Sequence, residues 1–248
     1  MLFQHGYILL GELGRGGQAC VYLVQRRGQA EGEYEACKIG KQERLREEAY
    51  LLRSLQHPCF PRYYAYWQWE NLGVLVMEYI GGRTLEEWLC ERQISLPLVE
   101  NWCRSLGEAL EYLHNMPEVW IYRDLKPANV VIREDGKLKL VDMGCACPLS
   151  RVAESMAGTP EYCAPEQLRA PEAVGPYSDY YSLGKIIEQL LEHSGPQGLG
   201  EYLRYFKWKR FCKKCLRLEI GKREKVNRAI FEQCVKCPLN RKKCRDDL

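Results

Sequence analysis

The sequence contains no apolar run of 18 residues, no internal repeat and no low-complexity linker. Without such a run we expect no transmembrane helix. The first residues lack a basic region and a small-residue cleavage site, so we also expect no signal peptide. With 46% hydrophobic and 28% charged residues, the composition favours a globular, cytoplasmic chain that forms one large domain or two lobes around a shared cleft.

Cysteine, by contrast, is abundant, with 13 residues scattered along a chain of 248. In the absence of a secretion signal, we expect thiols in a reducing compartment rather than disulfides. Two C-x₂-C pairs near the end stand 18 residues apart, a spacing typical of a four-thiolate zinc site. The candidate zinc ligands are Cys212, Cys215, Cys234 and Cys237. Buried structural thiols are the alternative, and we favour that interpretation.

Charge is distributed unevenly along the chain. The formal net charge is +3, but residues 199–248 carry 16 Lys and Arg against 6 Asp and Glu, which is +10 and leaves −7 for the first 198 residues. A basic segment of this kind can bind nucleic acid or an anionic surface. A solvated helical face explains the same charges, and we favour it over a nucleic-acid partner.

The order of predicted elements changes once along the chain. Residues 7–77 contain short segments rich in β-branched and aromatic residues, which predict strands. One helix interrupts them, since Leu45, Ala49 and Leu52 recur at helical spacing. From about Thr84 onward the pattern is mostly helical. Asp135-Gly136 predicts a tight turn between two short strands, and Gly195-Pro196 predicts the end of a later helix. An earlier helix is predicted from an apolar stripe at Leu98, Trp102, Leu106, Leu110 and Leu113. We therefore predict a single α+β domain over residues 1–248, with a small β-rich N-lobe (1–77), a hinge (78–82) and a larger helical C-lobe (83–248) that ends in a basic, cysteine-rich segment (199–248).

Polar residues interrupt one apolar stretch, "VWIYRDLKPANVVI", at Asp124, Lys126 and Asn129. Burying a charged side chain costs free energy unless the charge is paired or has a functional role. This stretch is therefore a candidate functional site. Further along, "VDMGC" places Asp142 after an apolar strand. Together with Asn129 it offers oxygen ligands of the hard type that Mg²⁺ selects.

Two further signals lie in the N-terminal part. "LGRGGQACVYLV" places Gly14 and Gly16 between two strand-like segments, where glycine lets the backbone approach a phosphate closely. Alone, this pattern is equally typical of a hairpin turn. Lys38 lies within a predicted strand, and Glu48 falls on the apolar face of the following helix. A carboxylate in that position needs a cationic partner, and Lys38 is the obvious candidate.

Six motifs in this order make the chain resemble a eukaryotic-type (Hanks-type) Ser/Thr protein kinase catalytic domain, from about Tyr7 to Arg223, in a bacterial-like variant with YRD and DMG motifs. They are "LGRGGQACV", "ACK", the helix with Glu48, "YRDLKPAN", "DMG" and "GTPEYCAPE". The resemblance implies a bilobal kinase-like fold with an ATP cleft between the lobes. It also implies transfer of the ATP γ-phosphoryl group to Ser/Thr hydroxyls of protein substrates, with autophosphorylation, using Mg²⁺.

Two other functions stay open at this point. The first is a pseudokinase or nucleotide-binding scaffold without turnover, which the presence of the full catalytic residue set disfavours. The second is a small-molecule kinase of related fold, which the long "GTPEYCAPE" segment disfavours. Lys126 and Thr159 match the pattern of Ser/Thr-specific rather than Tyr-specific members.

The resemblance assigns roles to individual residues. Asp124 would orient the acceptor hydroxyl and accept its proton, while Lys126 would neutralise charge on the transferred group. Lys38, paired with Glu48, would hold the α- and β-phosphates. The Mg²⁺ ligands would be Asn129 and Asp142. The ATP-binding residues would be Leu13, Gly14, Gly16, Val21, Ala36, Lys38, Met77, Glu78, Ile80 and Val131.

Regulatory roles follow from the same resemblance. Arg123 precedes the catalytic Asp, and such an arginine commonly receives a phosphate from the activation segment, residues 142–166. Ser155 is the candidate phosphosite and Thr159 lies in the same segment. A loop that is ordered without phosphate is equally compatible with the sequence. Glu166 is expected to pair with an arginine late in the chain, and Arg223 matches that position.

The chain departs from the family at Tyr122 and Met143, where His and Phe are usual. We expect these two residues to pack through a sulfur–aromatic contact of about 0.3–1.5 kcal/mol. Tyr122→His combined with Met143→Phe should therefore keep phosphoryl transfer within a few-fold of wild type. In a double-mutant cycle, the changes in unfolding free energy of the two single variants should not sum to that of the double variant. Strict additivity would contradict a contact between Tyr122 and Met143.

Overall fold

The computed structural model describes residues 2–17, 19–30, 32–90, 93–223 and 228–235. The chain forms two units. The β-rich unit comprises Met1–Gly82 and Val131–Gly144, and the helical unit comprises Arg83–Val130 and Cys145–Leu248. Residues 131–144 thus belong with the β-rich unit, although their place in the sequence put them in the predicted C-lobe. The predicted α+β class is confirmed.

A five-stranded antiparallel sheet forms the β-rich unit, in the order β1-β2-β3-β5-β4. The central strands β3 and β5 are almost entirely buried, whereas β1 lies at an edge and is mostly exposed. The strand bounds are β1 Tyr7–Arg15, β2 Ala19–Arg26, β3 Glu35–Lys41, β4 Tyr63–Trp69 and β5 Leu72–Glu78.

The predicted helix between β3 and β4 is α1, Gln42–Ser54, and it packs closely on β5. A Cβ at Gly73 would lie 2.9 Å from the Cβ of Leu45, so glycine permits this approach. Two further short strands are β8, Val130–Ile132, of which residues 131–132 belong to this unit, and β9, Leu138–Leu140. The turn between them contains Gly136 with φ +77°, which confirms the turn predicted at Asp135-Gly136.

The helical unit contains two long, strongly apolar helices. In α3 the predicted stripe is buried at Trp102, Leu106, Leu110 and Leu113, and α5 ends shortly before Gly195-Pro196, as predicted. The helices are α2 Leu85–Leu89, α3 Leu96–His114, α4 Pro165–Arg169, α5 Pro176–Glu192, α6 Gly198–Cys215 and α7 Arg228–Val235. Its short strands are β6 Arg83–Thr84, β7 Trp120–Ile121 and β10 Cys147–Pro148, of which β7 and β10 pair antiparallel. Among the described helices, none is long and apolar enough to cross a membrane.

Close packing of α5 against α6 decides the surroundings of the cysteines on α6. A Cβ at Gly184 would lie 2.8 Å from the Cβ of Cys215, and the Cys212 thiol donates to the Gly184 carbonyl at 3.3 Å. Burial raises the pKa of Cys212 to about 12, which opposes the thiolate that zinc needs. In the described part of the chain no group of three or more His, Cys, Asp or Glu could hold a metal, and Cys237 lies outside it. The zinc hypothesis therefore gains no support, whereas Cys212 and Cys215 fit buried structural thiols.

The predicted pairing of Glu166 with Arg223 is confirmed. The guanidinium binds both carboxylate oxygens, with Nη2 at 2.8 Å from Oε2, and the arginine side chain is fully buried. Its Nε also donates to the Arg217 carbonyl at 2.7 Å. Burial alone would raise the pKa of Glu166, but the hydrogen bonds from Arg223 and Ser178 hold it below its usual value. This ion pair joins the start of α4 to the segment after α6.

Arg223→Ala should lower the unfolding free energy by about 3–5 kcal/mol, because it leaves the Glu166 carboxylate buried without its partner. Arg223→Lys should recover only part of this loss, since an ammonium cannot make the bidentate contact. Denaturant titration at pH 7 measures both, with the exposed Arg169→Ala as control. Because the pKa of folded Glu166 is depressed, the wild-type advantage should shrink as pH falls below about 4. An advantage that does not decrease at all as pH is lowered would contradict this account.

Candidate functional site

In the β-rich unit, the carboxylates of Glu48 and Asp142 both contact the ammonium of Lys38. Its Nζ lies 2.9 and 2.8 Å from the two Glu48 oxygens and 2.8 Å from Oδ1 of Asp142. Lys38 comes from β3, Glu48 from the buried face of α1, and Asp142 follows β9. The predicted Lys38–Glu48 ion pair is thus confirmed, and Asp142 joins it.

The electrostatics of this cluster favour a charged lysine. Burial by itself would lower the pKa of Lys38, but the carboxylates of Glu48 and Asp142 raise it above its usual value. The Gly144 amide donates to Asp142 Oδ1 at 2.8 Å, and a Cβ at Gly144 would lie 3.0 Å from that oxygen. The cluster therefore holds a fixed positive charge next to a carboxylate whose side chain is 45% exposed.

Gly14, near the end of β1, and Gly16, just after it, are not required by packing. A Cβ at Gly14 would meet no atom within 4 Å, and at Gly16 only the Ala19 carbonyl, at 3.6 Å. Neither has the positive φ that demands glycine. Open space beside Gly14 is what close approach of a ligand to this backbone requires.

The apolar residues assigned to ATP lie on neighbouring strands of this unit. Ala36 on β3 is the register partner of Met77 on β5, and Val21 on β2 is the partner of Lys38. Ala36 and Met77 are buried. The other predicted residues of this set lie in the same unit, at Leu13, Ile80 and Val131.

Glu78, at the end of β5, is held by hydrogen bonds to both its backbone amide and its side chain. Its backbone N–H donates to the Arg62 carbonyl at 2.8 Å, so that amide is already used. Its carboxylate accepts a hydrogen bond from Lys139 at 2.7 Å and one from the Arg62 amide at 3.0 Å. Although burial opposes it, the Lys139 hydrogen bond holds the pKa of Glu78 below its usual value. The side chain of Glu78 thus fixes the end of the strand.

In the helical unit, a second group of residues surrounds Asp124. Its Oδ1 accepts from the Thr159 hydroxyl at 2.7 Å, and its Oδ2 accepts from the Asn129 amide at 3.1 Å. Lys126 Nζ lies 3.0 Å from Oδ2 and also donates to Thr159 Oγ1 at 2.9 Å. Asp124 is therefore oriented by three neighbours and lies beside one cation. Such a carboxylate can orient a hydroxyl and take up its proton.

Asp179 is a site residue that the sequence analysis missed. This fully buried carboxylate accepts from the backbone N–H of Tyr122 at 2.9 Å and of Arg123 at 2.8 Å. It also lies 2.8 Å from Nε2 of His114. Arg123 has φ +67°, a left-handed conformation that non-glycine residues rarely adopt. The signal was present, since Asp179 falls on the apolar face of its helix in the same way as Glu48 does.

Arg123 connects this loop to the activation segment. Its Nε donates to the Cys145 carbonyl at 2.7 Å, and its Nη1 donates to the carbonyl and the hydroxyl of Ser155 at 2.9 and 3.3 Å. The predicted phosphosite therefore lies directly at the guanidinium. Thr159, predicted as a regulatory residue, instead contacts Asp124 and Lys126.

Each of the two residues assigned to Mg²⁺ carries an oxygen donor of the kind that a hard cation prefers. Asn129 uses its amide nitrogen on Asp124, at 2.9 Å to the carbonyl and 3.1 Å to Oδ2, so its amide oxygen is the atom that it can offer. Asp142 supplies a partly exposed carboxylate. Oxygen donors of these two kinds are the ligands that Mg²⁺ prefers.

Comparison with known proteins gives a match over most of the chain. The family model described as "Protein kinase domain" matches residues 7–229. The chain is 34% identical to "Serine/threonine-protein kinase WNK" of Caenorhabditis elegans over 200 residues, which cover 75% of this chain and 11% of that protein.

Two further relatives have comparable similarity. "Serine/threonine-protein kinase Wnk" of Drosophila melanogaster is 36% identical over 161 residues, covering 62% of this chain and 6% of that protein. "cAMP-dependent protein kinase catalytic subunit PRKX" of Homo sapiens is 31% identical over 163 residues, covering 65% and 45%. The chain thus spans less than half of the length of each of these relatives.

Lys38→Met should lower the unfolding free energy by about 3 kcal/mol, because the buried Glu48 carboxylate loses its counter-ion. The double variant Lys38→Met with Glu48→Gln should recover most of this loss, since the charge is removed. Denaturant titration measures both, with Lys41→Met, an exposed lysine on the same strand, as control. The penalty of the single variant should fade as pH is lowered and Glu48 takes up a proton. A double variant as unstable as the single one would show that the charge is not the cause.

Proposed function

Because the chain belongs to the protein kinase domain family, we propose that it transfers the γ-phosphoryl group of ATP to Ser or Thr hydroxyls of protein substrates. The observation that carries this proposal is the set of contacts to Asp124, whose two carboxylate oxygens are held by Thr159, Asn129 and Lys126. Relatives named as serine/threonine-protein kinases support the substrate class.

Asp124 has the role of orienting the acceptor hydroxyl. The Thr159 and Asn129 hydrogen bonds fix its carboxylate, and Lys126 at 3.0 Å keeps a positive charge beside it. That cation also stabilises negative charge on the transferred phosphoryl group. Phosphoryl transfer passes through a loose transition state, so positioning and charge stabilisation provide most of the catalysis.

Lys38 has the role of binding the α- and β-phosphates. Its charge is maintained by Glu48 and Asp142 despite burial, and Gly14 and Gly16 offer open backbone to the phosphates. Protein kinases use Mg²⁺ with ATP, and the ion neutralises charge on the β- and γ-phosphates when bound. Asn129 and Asp142 are the residues that would hold it.

We further propose Ser155 as a regulatory phosphorylation site. Its hydroxyl already lies 3.3 Å from Nη1 of Arg123, so an added phosphate would meet a guanidinium without rearrangement of the loop. Autophosphorylation is one route to this modification. The single-domain organisation, the lobe and hinge bounds given above and the cytoplasmic location remain predictions.

Asp124→Asn should lower phosphoryl transfer by about 10²–10⁴-fold while ATP binding stays close to wild type. The measurement is incorporation of labelled phosphate from ATP-Mg²⁺ into the chain and into a generic protein acceptor, followed by mapping of the modified residues. Asp135→Asn, in the exposed turn between β8 and β9, is the matched control and should keep full activity.

Two outcomes would count against the proposal. If the Asp124→Asn variant kept more than about a tenth of the wild-type rate, the activation free energy would rise by less than about 1.4 kcal/mol. Asp124 would then not have the proposed role. ATP binding by wild type with no phosphoryl transfer to any acceptor would support the scaffold function instead.

A further inference from the structure

Helix α6 has two opposite faces, and among the described residues only one of these faces is covered by other parts of the chain. Its inner face is anchored in the helical unit, where Trp208 is fully buried and stacks on Phe231 with ring centroids 5.7 Å apart. Glu100 on α3 accepts from the Trp208 indole at 3.2 Å and from Arg204 at 3.1 Å. These contacts hold α6 rigidly, so its other face is a preformed surface.

The α6 outer face consists of exposed residues at intervals of three or four, which places them on one side of the helix. Three of them are large and apolar: Leu199 is 66% exposed, Tyr202 53% and Phe206 52%. The rings of Tyr202 and Phe206 are in contact, with centroids 5.1 Å apart. The stripe continues in the next turns as Arg210 and Lys213, both exposed.

A cavity adjoins the basic half of this face. It has a volume of about 480 Å³ and is lined by residues of α6 and α7. Three cations contribute to it, Lys207, Arg210 and Lys214, together with the apolar side chains of Phe211 and Ile230. Arg210 belongs to both the outer face and the cavity. The cavity is therefore suited to a ligand in which an anionic group is attached to an apolar group.

The charge of α6 limits which kind of partner can bind to its outer face. The helix carries six Lys and Arg against Glu201 alone, a net +5. A second copy of the chain would bring the same positive face. The sequence that follows α7, residues 236–248, is basic too, with five Lys and Arg against two Asp. Charge complementarity therefore favours a separate, acidic partner.

The arrangement of apolar and basic residues favours a protein partner over a membrane. A helix that lies in a lipid interface separates its apolar and charged residues around its axis. On α6 they are separated along the axis, with the apolar residues in the first turns and the cations in the last ones. Nucleic acid would need cations along the whole face, because its phosphates repeat regularly.

We propose that the α6 outer face and its adjoining cavity bind an acidic amphipathic segment of a partner protein. Its aliphatic or aromatic side chains pack on Leu199, Tyr202 and Phe206, and the two aromatic residues are of a type enriched at interfaces. Its carboxylates meet Arg210, Lys213 and the cations of the cavity. From Leu199 to Lys213 the face is about 21 Å long, which matches four turns of a helical segment.

A random 16-residue peptide library, selected on the full chain without ATP, tests this assignment. Enriched peptides should combine at least two large apolar residues with a net negative charge. Their affinity should fall about tenfold or more with Tyr202→Ala plus Phe206→Ala, and again with Arg210→Glu plus Lys213→Glu. The second pair should also remove most of the dependence on salt.

Matched controls keep the test specific. Tyr50→Ala plus Leu72→Ala remove exposed apolar side chains elsewhere, and Lys41→Glu plus Arg53→Glu change the net charge equally. Both should leave peptide affinity within about twofold of wild type. All variants lie at exposed positions outside the proposed catalytic residues, so melting temperature and phosphoryl transfer to a generic acceptor should stay unchanged. The binding result is thereby independent of whether the proposed kinase activity holds.

Three results would overturn the proposal. The first is that no acidic amphipathic peptides are enriched, or that their affinity is equal in the α6 variants and the controls. The second is binding to phosphatidylserine-containing vesicles that is lost in the α6 variants, with no peptide binding. The third is binding to a 20-base-pair RNA duplex that is lost in the α6 variants, again with no peptide binding.

Discussion

The geometry of the helical unit depends on one buried carboxylate. Asp179 accepts hydrogen bonds from two consecutive backbone amides, those of Tyr122 and Arg123, and approaches the His114 ring. This holds Arg123 in a left-handed conformation that costs about 1–3 kcal/mol. Because the next residue is Asp124, Asp179 fixes the backbone from which the Asp124 side chain projects.

The same constraint, that a buried charge needs a partner, organises the rest of the chain. Glu48 is bound by Lys38 and Glu166 by Arg223, and Glu78 accepts from Lys139. The Glu166–Arg223 and Glu78–Lys139 pairs join elements that are distant in the sequence, and the Lys38–Glu48 pair joins β3 to the helix that follows it. Breaking one partner leaves an uncompensated charge, which costs far more than the pair itself contributes. These pairs therefore specify one arrangement of strands and helices rather than simply adding stability.

Helix α6 shows how packing decides between two interpretations of the same residues. Its cysteines have the spacing of a metal site. However, α5 approaches α6 closely at Gly184, and Cys212 is a buried thiol that donates a hydrogen bond to the Gly184 carbonyl. The basic residues of the helix were expected to be a solvated face, and Lys213 is indeed exposed. What the pattern alone did not show is the exposed aromatic pair Tyr202 and Phe206 on the same side.

Four features could be predicted from the amino-acid pattern alone: the order of strands and helices, the Asp135-Gly136 turn, the Lys38–Glu48 pair and the identity of the motif residues. These follow from local rules: side-chain periodicity, the need for positive φ in a tight turn, and the cost of an unpaired carboxylate on an apolar face. Three other features became visible only in the folded chain. Asp179 holds the loop before Asp124, Lys139 binds Glu78 across 61 residues, and residues 131–144 join the β-rich unit. Such contacts depend on which distant elements meet in space, and periodicity along the chain carries no information about that.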